Sequence, residues 1–186
     1  DLGFPREQPD LFSQAMRISE RVALGEDHLW GKQAGPQGEL YLLGRAPKQS
    51  WSDLFRTDQE LVRSCKLGTG RTRSLGFSKN LKRGFFDART VAYLALQLAY
   101  HLGFTKVFLV GVDLNETVSR FYEKPGAVTS PCRLDQHFYT RILPSLEILS
   151  KYVVNEDFQV YNLSQTSRIP VELVPRVTMD QLDALI

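Results

Sequence analysis

The stretch FDARTVAYLALQLAYHLGFTKVFLVGVDLNETVSRFYE, residues 86–123, decides the fold that we predict for this chain. Its first half carries apolar residues at helical spacing, at Val91, Leu94, Ala95, Leu98 and Leu102. Gly103 then stands where a helix C-cap is expected, because glycine adopts a left-handed conformation without strain. The continuous apolar run Val107–Val110 predicts a strand covered on both faces. The stretch therefore reads as a helix, a glycine turn and a buried strand.

Polar side chains follow this strand directly, and they are Asp113, Asn115, Glu116, Arg120, Tyr122 and Glu123. In an open α/β sheet, ligands bind outside the carboxyl ends of the strands, so we expect a ligand site here. Asp113 is either a ligand contact or a turn residue. Arg120 and Tyr122 can together donate hydrogen bonds to a phosphate, or they belong to an ordinary edge segment.

The bulk properties describe a soluble globular protein of one domain. The 186 residues are 42% hydrophobic and 24% charged, and a net charge of +2 gives no argument for a nucleic-acid partner. Cys65 and Cys132 match no metal-ligand spacing and are expected to be free thiols. The three histidines are far apart in sequence, so we predict no metal site.

Positive charge is concentrated in residues 63–83, which contain seven Lys and Arg residues and no acidic residue: Arg63, Lys66, Arg71, Arg73, Lys79, Lys82 and Arg83. Such a run is typical of a solvated loop. The alternative is a surface that faces a phosphate-rich partner.

The other elements follow from periodicity and turn residues. We predict helices over 8–24, 50–62 and 134–152 and from Thr178 onward, strands over 39–43 and 158–163, and a loop over 66–84. In the helix over 134–152, an apolar stripe is formed by Phe138, Ile142, Leu146 and Leu149. Alternating strands and helices indicate an α/β fold with a Rossmann-like, mostly parallel sheet flanked by helices.

Two further segments carry groups suited to chemistry. His137 lies in the first turn of its predicted helix, where a histidine acts as a general base or is simply a surface residue. Asn162 and Ser164 follow the strand over 158–163 together with further hydroxyl residues. Such groups suit a sugar or a nucleoside, and they also satisfy loop backbone.

The ordered set of LGFTKVFLVGVDL (102–114), SRFYE (119–123), a histidine-bearing helix and VYNLSQTSRIP (160–170) resembles a known family. It is similar to the family 42 bacterial sialyltransferases and to their Kdo-transferase-like relatives in lipopolysaccharide core biosynthesis. The resemblance covers residues 86–170. It implies a cytoplasmic, metal-independent glycosyltransferase without a cofactor. Its substrates would be a CMP-activated acidic sugar, Kdo or sialic acid, and a glycan hydroxyl, joined by direct displacement.

The resemblance also implies roles for individual residues. The family's catalytic base matches His137, and a donor-contacting hydroxyl matches Thr90. Tyrosines after the G-x-D strand stabilise the leaving phosphate in the family. Here Asn115 stands at one such position and Tyr122 lies near the other, so the first position departs from the pattern.

A larger departure is the absence of the G-x-G-P-S loop that opens the family's nucleotide site. We therefore expect residues 1–186 to form a single α/β domain that is the C-terminal portion of a longer transferase domain and lacks its N-terminal strands. The basic residues 63–83 would then face the lipopolysaccharide core or the inner-membrane surface.

Two alternatives come from other functional classes. A Mg²⁺-dependent enzyme similar to pterin diphosphokinases would rely on Asp113, Glu116 and Glu123, and its ligand binding would require the metal. A non-enzymatic domain in envelope assembly would need neither metal nor donor.

Overall fold

A computed structural model describes residues 17–20, 40–50, 53, 58–64, 73–115 and 134–186. The chain divides into two compact units, Asp1–Arg45 and Ala46–Ile186. In the first unit, strand β1 (Arg17–Glu20) pairs in parallel with strand β2 (Leu40–Leu43), with Arg17 opposite Leu40 and Glu20 opposite Leu43. The strand prediction over 39–43 is confirmed.

The helix predicted over 8–24 is wrong at residues 17–20, which form β1. The pattern of apolar residues at helical spacing covers only a few residues there. Pairing with the apolar strand β2 outweighs so weak a local preference for helix. The rest of that predicted helix lies outside the described residues.

The second unit begins with a small antiparallel pair. Strand β3 (Leu61–Val62) lies against strand β4 (Phe77–Ser78), with Leu61 opposite Ser78. The helix predicted over 50–62 is therefore wrong at Leu61–Val62. The carboxylate of Asp58 accepts the N–H groups of Glu60 and Leu61, both at 3.0 Å, and this turn directs the chain into the strand.

The loop predicted over 66–84 is also wrong where it is described near its end. Besides β4, a 3₁₀ turn covers Leu81–Arg83. Leu75, Phe77 and Leu81 are buried in the core, so this segment contributes to packing despite its glycine and charge content. Residues 66–72 of the predicted loop lie outside the described part of the chain.

Helix α1 (Val91–His101) is confirmed, but its buried face differs from the predicted one. Tyr93, Leu96 and Gln97 are buried, whereas Val91 and Leu102 are 78% and 63% exposed. The helix is apolar nearly all round, so spacing alone does not select a face. Gln97 is buried because its amide hydrogen-bonds to the backbone of Ser78 in β4 and of Phe86, contacts that hydrophobic spacing does not record.

The turn after α1 forms as expected. Gly103 has a φ of +84°, its N–H donates to the Tyr100 carbonyl at 3.0 Å, and the Phe104 N–H donates to the Ala99 carbonyl at 3.1 Å. This pair of bonds is the Schellman motif that glycine favours. It ends the helix and returns the chain toward the next strand.

Strand β5 (Lys106–Leu109) pairs in parallel with strand β6 (Gln159–Asn162), with Lys106 opposite Gln159 and Leu109 opposite Asn162. Between them lie helix α2 (Leu134–His137), a π-helical turn (Phe138–Ile142) and helix α3 (Leu143–Tyr152). Both the helical span and the second strand are confirmed. The prediction that 107–110 is covered on both faces is wrong, since Val110 is 76% exposed.

The core of this unit lies between α1, α3 and the β5–β6 pair. The predicted stripe of Phe138, Ile142, Leu146 and Leu149 is fully buried there. Tyr93 joins the layers, because its hydroxyl lies 2.9 Å from the carbonyls of Gly76 and Ser145. Its burial raises the pKa of this phenol well above the ordinary range.

The helix predicted from Thr178 onward is confirmed as helix α4 (Met179–Leu185). Its N-cap Thr178 forms a capping box with Gln181. The α/β class is thus confirmed. Within the described ranges each sheet has two strands, and the Rossmann-like sheet is not confirmed.

Candidate functional site

The carboxyl ends of β5 and β6 meet because the two strands are parallel and in register. Beyond them, the loop over residues 110–115 and the loop over residues 163–168 are held together by hydrogen bonds. The Val112 N–H donates to the Ser164 hydroxyl at 3.1 Å, and the Ser167 hydroxyl donates to the Val112 carbonyl at 2.7 Å. Two loops from distant parts of the sequence therefore form one polar surface, as expected at the end of a parallel pair.

Asp113 lies on this surface and is half-buried. Its carboxylate accepts a hydrogen bond from the Thr166 hydroxyl at 3.0 Å, and its carbonyl accepts one from the Arg168 N–H at 2.8 Å. The next residue, Leu114, has a φ of +54°, an uncommon conformation for a residue with a side chain. Asn115 follows and is exposed.

Arg168 connects this surface to the helix that carries His137. Its guanidinium pairs with the Asp135 carboxylate and lies over the rings of Phe138, at 4.0 Å from the centroid, and Tyr139, at 5.3 Å. Hydrogen bonds to Tyr139 and Asp135 raise the pKa of Arg168 above its ordinary value. Asp135 precedes His137 in the sequence, and Phe138 and Tyr139 follow it. Arg168 therefore joins the helix of His137 to the loop of Asp113.

His137 is the last residue of α2 and is half-buried. It directly precedes the π-helical turn, in which the Leu143 N–H donates to the Phe138 carbonyl five residues back. Pro144 explains this turn, because proline has no N–H for the carbonyl four residues earlier and its ring crowds that position. Such turns are frequent at functional sites.

Thr90 is the N-cap of α1, and its side chain forms no capping hydrogen bond. The short turn at residues 102–105 reverses the chain, so α1 and β5 run in opposite directions. The N-terminus of α1 therefore lies toward the carboxyl end of β5. The positive end of the helix dipole at Thr90 favours an anion, and a contact between Thr90 and a donor stays a prediction.

Asn162 and Ser164 have positioning contacts at the end of β6. The Asn162 side chain is fully buried, and its oxygen accepts the Ser164 N–H at 2.9 Å. Its backbone N–H donates to the Pro175 carbonyl at 2.9 Å and its carbonyl accepts the Val177 N–H at 3.0 Å. The Asn162 Nδ2 is buried without a hydrogen-bond partner. Asn162 therefore holds the loop of Ser164 in place, and its contact with a substrate stays a prediction.

Arg120 and Tyr122 lie outside the described residues, as do Glu116 and Glu123. The structure therefore brings together Asp113, Ser164 and the helix of His137, with Asn162 beneath them. Sequence reasoning missed Arg168. The only signal for it was a cation directly after the hydroxyl-rich segment 164–167. Among the described residues, no group of three or more His, Cys, Asp or Glu side chains is arranged to hold a metal ion.

The described part of the basic segment 63–83 is partly neutralised. Arg83 pairs with Asp58 at 2.9 Å and with Glu60 at 3.1 Å. Hydrogen bonds from Asn80 and Arg83 lower the pKa of Glu60. Burial tends to raise the pKa of Asp58, but hydrogen bonds from the Leu61 backbone and from Arg83 outweigh it and lower that pKa.

The membrane contact predicted for residues 63–83 stays a prediction. In the portion that the structure covers, the helices are too short or too polar to cross a bilayer.

Comparison with known proteins identifies related sequences. Residues 44–180 match the model of a family described as 3-deoxy-D-manno-octulosonic acid transferase WaaZ. A probable 3-deoxy-manno-octulosonic acid transferase of Salmonella typhimurium is 30% identical over 140 residues, covering 75% of this chain and 50% of the relative. A protein of the same description from Escherichia coli K12 is 28% identical over 141 residues, covering 76% of this chain and 48% of the relative.

The chain spans about half the length of these curated relatives. No solved structure matches it. The resemblance to Kdo-transferase-like proteins is thereby confirmed, and the matched range contains every described candidate residue. The sialyltransferase part of the resemblance stays a prediction. Neither the diphosphokinase nor the assembly-domain alternative is favoured by these matches.

Proposed function

The chain belongs to the family described as 3-deoxy-D-manno-octulosonic acid transferase WaaZ, and we propose that it contributes the active site of a Kdo transferase of lipopolysaccharide core biosynthesis. The donor would be CMP-activated Kdo and the acceptor a hydroxyl of the lipopolysaccharide core. The observation that carries this proposal is the convergence of the Asp113 loop, the Ser164 loop and the His137 helix at one end of the β5–β6 pair.

The proposed reaction is a direct displacement at the anomeric carbon of Kdo. The His137 imidazole accepts the proton of the acceptor hydroxyl, whose oxygen forms the new bond to the anomeric carbon. The bond from that carbon to the CMP phosphate breaks, and its electron pair leaves with CMP. The Arg168 bridge to Asp135 supports this role, because it fixes the His137 helix against the loop that would hold the sugar.

The leaving phosphate needs hydrogen-bond donors where its negative charge develops. We assign this task to Arg120 and Tyr122, on the family resemblance. Thr90, at the start of α1, is proposed to contact the donor with its hydroxyl, which makes no capping bond. Asp113 and Asn115 are proposed to hold sugar or ribose hydroxyls, since carboxylate and amide oxygens accept hydrogen bonds from them.

No resident cofactor or metal takes part in this mechanism. The reaction would take place in the cytoplasm, where a CMP-activated donor is made, with the enzyme peripheral to the inner membrane that carries the growing acceptor. The basic residues 63–83 are proposed to face that surface, and the partial neutralisation of Arg83 limits how much charge they offer.

The test is a transfer assay on the protein produced from its complete gene. It is incubated with a lipopolysaccharide core acceptor and CMP-Kdo, in parallel with CMP-sialic acid, each with and without EDTA. Mass spectrometry of the acceptor should show one added Kdo, unaffected by EDTA and absent with CMP-sialic acid. Failure to transfer Kdo, or transfer that requires Mg²⁺, would overturn the proposal.

A further inference from the structure

A cavity of about 630 Å³ lies in the second unit, away from the candidate transfer site. Its walls include Tyr100 from the last turn of α1 and Tyr152 from the last turn of α3. Both turns lead into the amino ends of β5 and β6, and Tyr100 packs on Phe158, just before β6, at 4.9 Å between ring centroids. The transfer site follows the opposite ends of these strands, about 13 Å away for a strand of four residues.

The size and composition of the cavity suit a small polar molecule. Ligand pockets usually have volumes of about 300–1,000 Å³. Its walls combine two aromatic rings with charged side chains and the amides of Gln49 and Gln59. Tyrosine rings offer an apolar face to a sugar ring, and amides can donate to and accept from sugar hydroxyls.

Two of the three cationic side chains in the wall already bind other groups of the protein. Arg83 pairs with Asp58 and Glu60. Arg63 donates to the carbonyls of Arg73, at 3.1 Å, and of Pro47, and its guanidinium lies 4.8 Å from the centre of the Phe86 ring.

Lys79 is placed differently. Its ammonium lies 5.4 Å from the centre of the Tyr100 ring, and no ion pair links it to a carboxylate of the described residues. The two acidic wall residues are engaged: Asp58 pairs with Arg83, and the Asp53 carboxylate accepts a hydrogen bond from the Ser50 N–H at 2.7 Å. Lys79 therefore brings a positive charge and three donors to the cavity without a matching anion.

We propose that this cavity is a second ligand site, which binds a sugar bearing one carboxylate or phosphate group. The Lys79 ammonium holds the oxyanion by charge-assisted hydrogen bonds, and the tyrosine rings cover the apolar face of the sugar. Arg83 is paired with Asp58 and Glu60, so Lys79 supplies the positive charge that is left for a ligand in this wall. The inference concerns binding alone and stands whether or not the chain transfers a sugar.

The test is isothermal titration of the protein produced from its complete gene with glucuronate, glucose 1-phosphate, glucose and inorganic phosphate. At least one of the two charged sugars should bind saturably and more tightly than glucose or phosphate. Lys79→Gln should weaken that binding about tenfold, the loss of one charge-assisted hydrogen bond. Tyr152→Ala should weaken it several-fold. The matched control Lys82→Gln removes an exposed lysine outside the cavity wall and should leave binding unchanged.

Three results would overturn the proposal. These are no saturable binding of either charged sugar, equal affinity for inorganic phosphate, or equal loss in Lys79→Gln and Lys82→Gln. Circular dichroism melting of each variant shows that it is folded. If Lys79→Gln does not fold, Tyr152→Ala alone decides, and its unchanged affinity would contradict the proposed site.

Discussion

Replacing Gln97 with leucine should destabilise the second unit severely. The Gln97 side chain is fully buried and makes four hydrogen bonds. Its oxygen accepts the N–H groups of Ser78, at 3.0 Å, and Phe86, at 2.9 Å. Its nitrogen donates to the carbonyls of Phe86, at 3.0 Å, and Tyr93, at 3.2 Å. The amide thereby fixes β4 and the segment leading into α1 onto the helix.

The magnitude follows from the groups that Gln97→Leu leaves unpaired. The N–H groups of Ser78 and Phe86 and the Phe86 carbonyl lose their partners in the core, and each buried unsatisfied group costs about 1–3 kcal/mol. The Tyr93 carbonyl retains its bond within the helix. The extra apolar burial of leucine offsets about 1 kcal/mol. We expect the free energy of unfolding to fall by about 2–8 kcal/mol, a large part of a typical total of about 5–15 kcal/mol.

The measurement is urea unfolding, followed by far-ultraviolet circular dichroism as a measure of helix content. Gln136→Leu is the matched control, because Gln136 is exposed, and its free energy of unfolding should change by less than about 0.5 kcal/mol. A decrease below about 1 kcal/mol for Gln97→Leu would contradict this assignment. The amide network would then contribute little to the stability of this unit.

Three further predictions concern packing, the site and pH. Gly76→Ala should lower the free energy of unfolding by about 2 kcal/mol or more, because its Cβ would lie 2.6 Å from the Phe86 ring, as checked by urea unfolding. Arg168→Met should lower kcat for transfer about tenfold with little change in donor KM, because it releases the His137 helix. The free energy of unfolding should fall in acid, because the folded protein lowers the pKa of Asp58 and of Glu60. These carboxylates stabilise the fold at a pH above their ordinary pKa values of 3.8 and 4.5. That stabilisation is lost as the pH falls below those values.

Each of these predictions has its own control. Gly44→Ala should be neutral, because its Cβ meets no atom within 4 Å, and equal destabilisation of both variants would contradict the packing argument. Arg168→Lys keeps the charge without the planar group and should give an intermediate kcat; a kcat equal to that of Arg168→Met would mean that charge plays no part. Arg83→Gln should lower stability at about pH 7 and much less at about pH 3. A difference independent of pH would contradict the assigned ion pairs.

Sequence periodicity predicted the elements whose apolar residues all lie on a single face. The stripe of Phe138, Ile142, Leu146 and Leu149 has a single helical repeat, and all four side chains are buried. Gly103 likewise has one conformation that suits its position. The contact between the loops of Asp113 and Ser164 was predictable for the same reason, since residues that follow parallel strands meet at one edge of the sheet.

Periodicity failed where pairing across long sequence separations decides the structure. The segment Leu61–Val62 becomes a strand because Phe77–Ser78 lies beside it, and nothing local records that contact. The face of α1 depends on Gln97, whose partners lie 11 and 19 residues away. Arg168 was missed because its partner Asp135 lies 33 residues earlier, on another element.

The role of His137 as the catalytic base is tested by single-turnover transfer of Kdo with His137→Ala. The variant is made in the protein produced from the complete gene, with CMP binding measured by calorimetry on the same preparation. We expect the rate of transfer to fall by about a hundredfold or more, with the affinity for CMP nearly unchanged. His101→Ala, at the far end of α1, should retain full activity. Transfer by His137→Ala at the unsubstituted rate would contradict the assignment of His137 as the base.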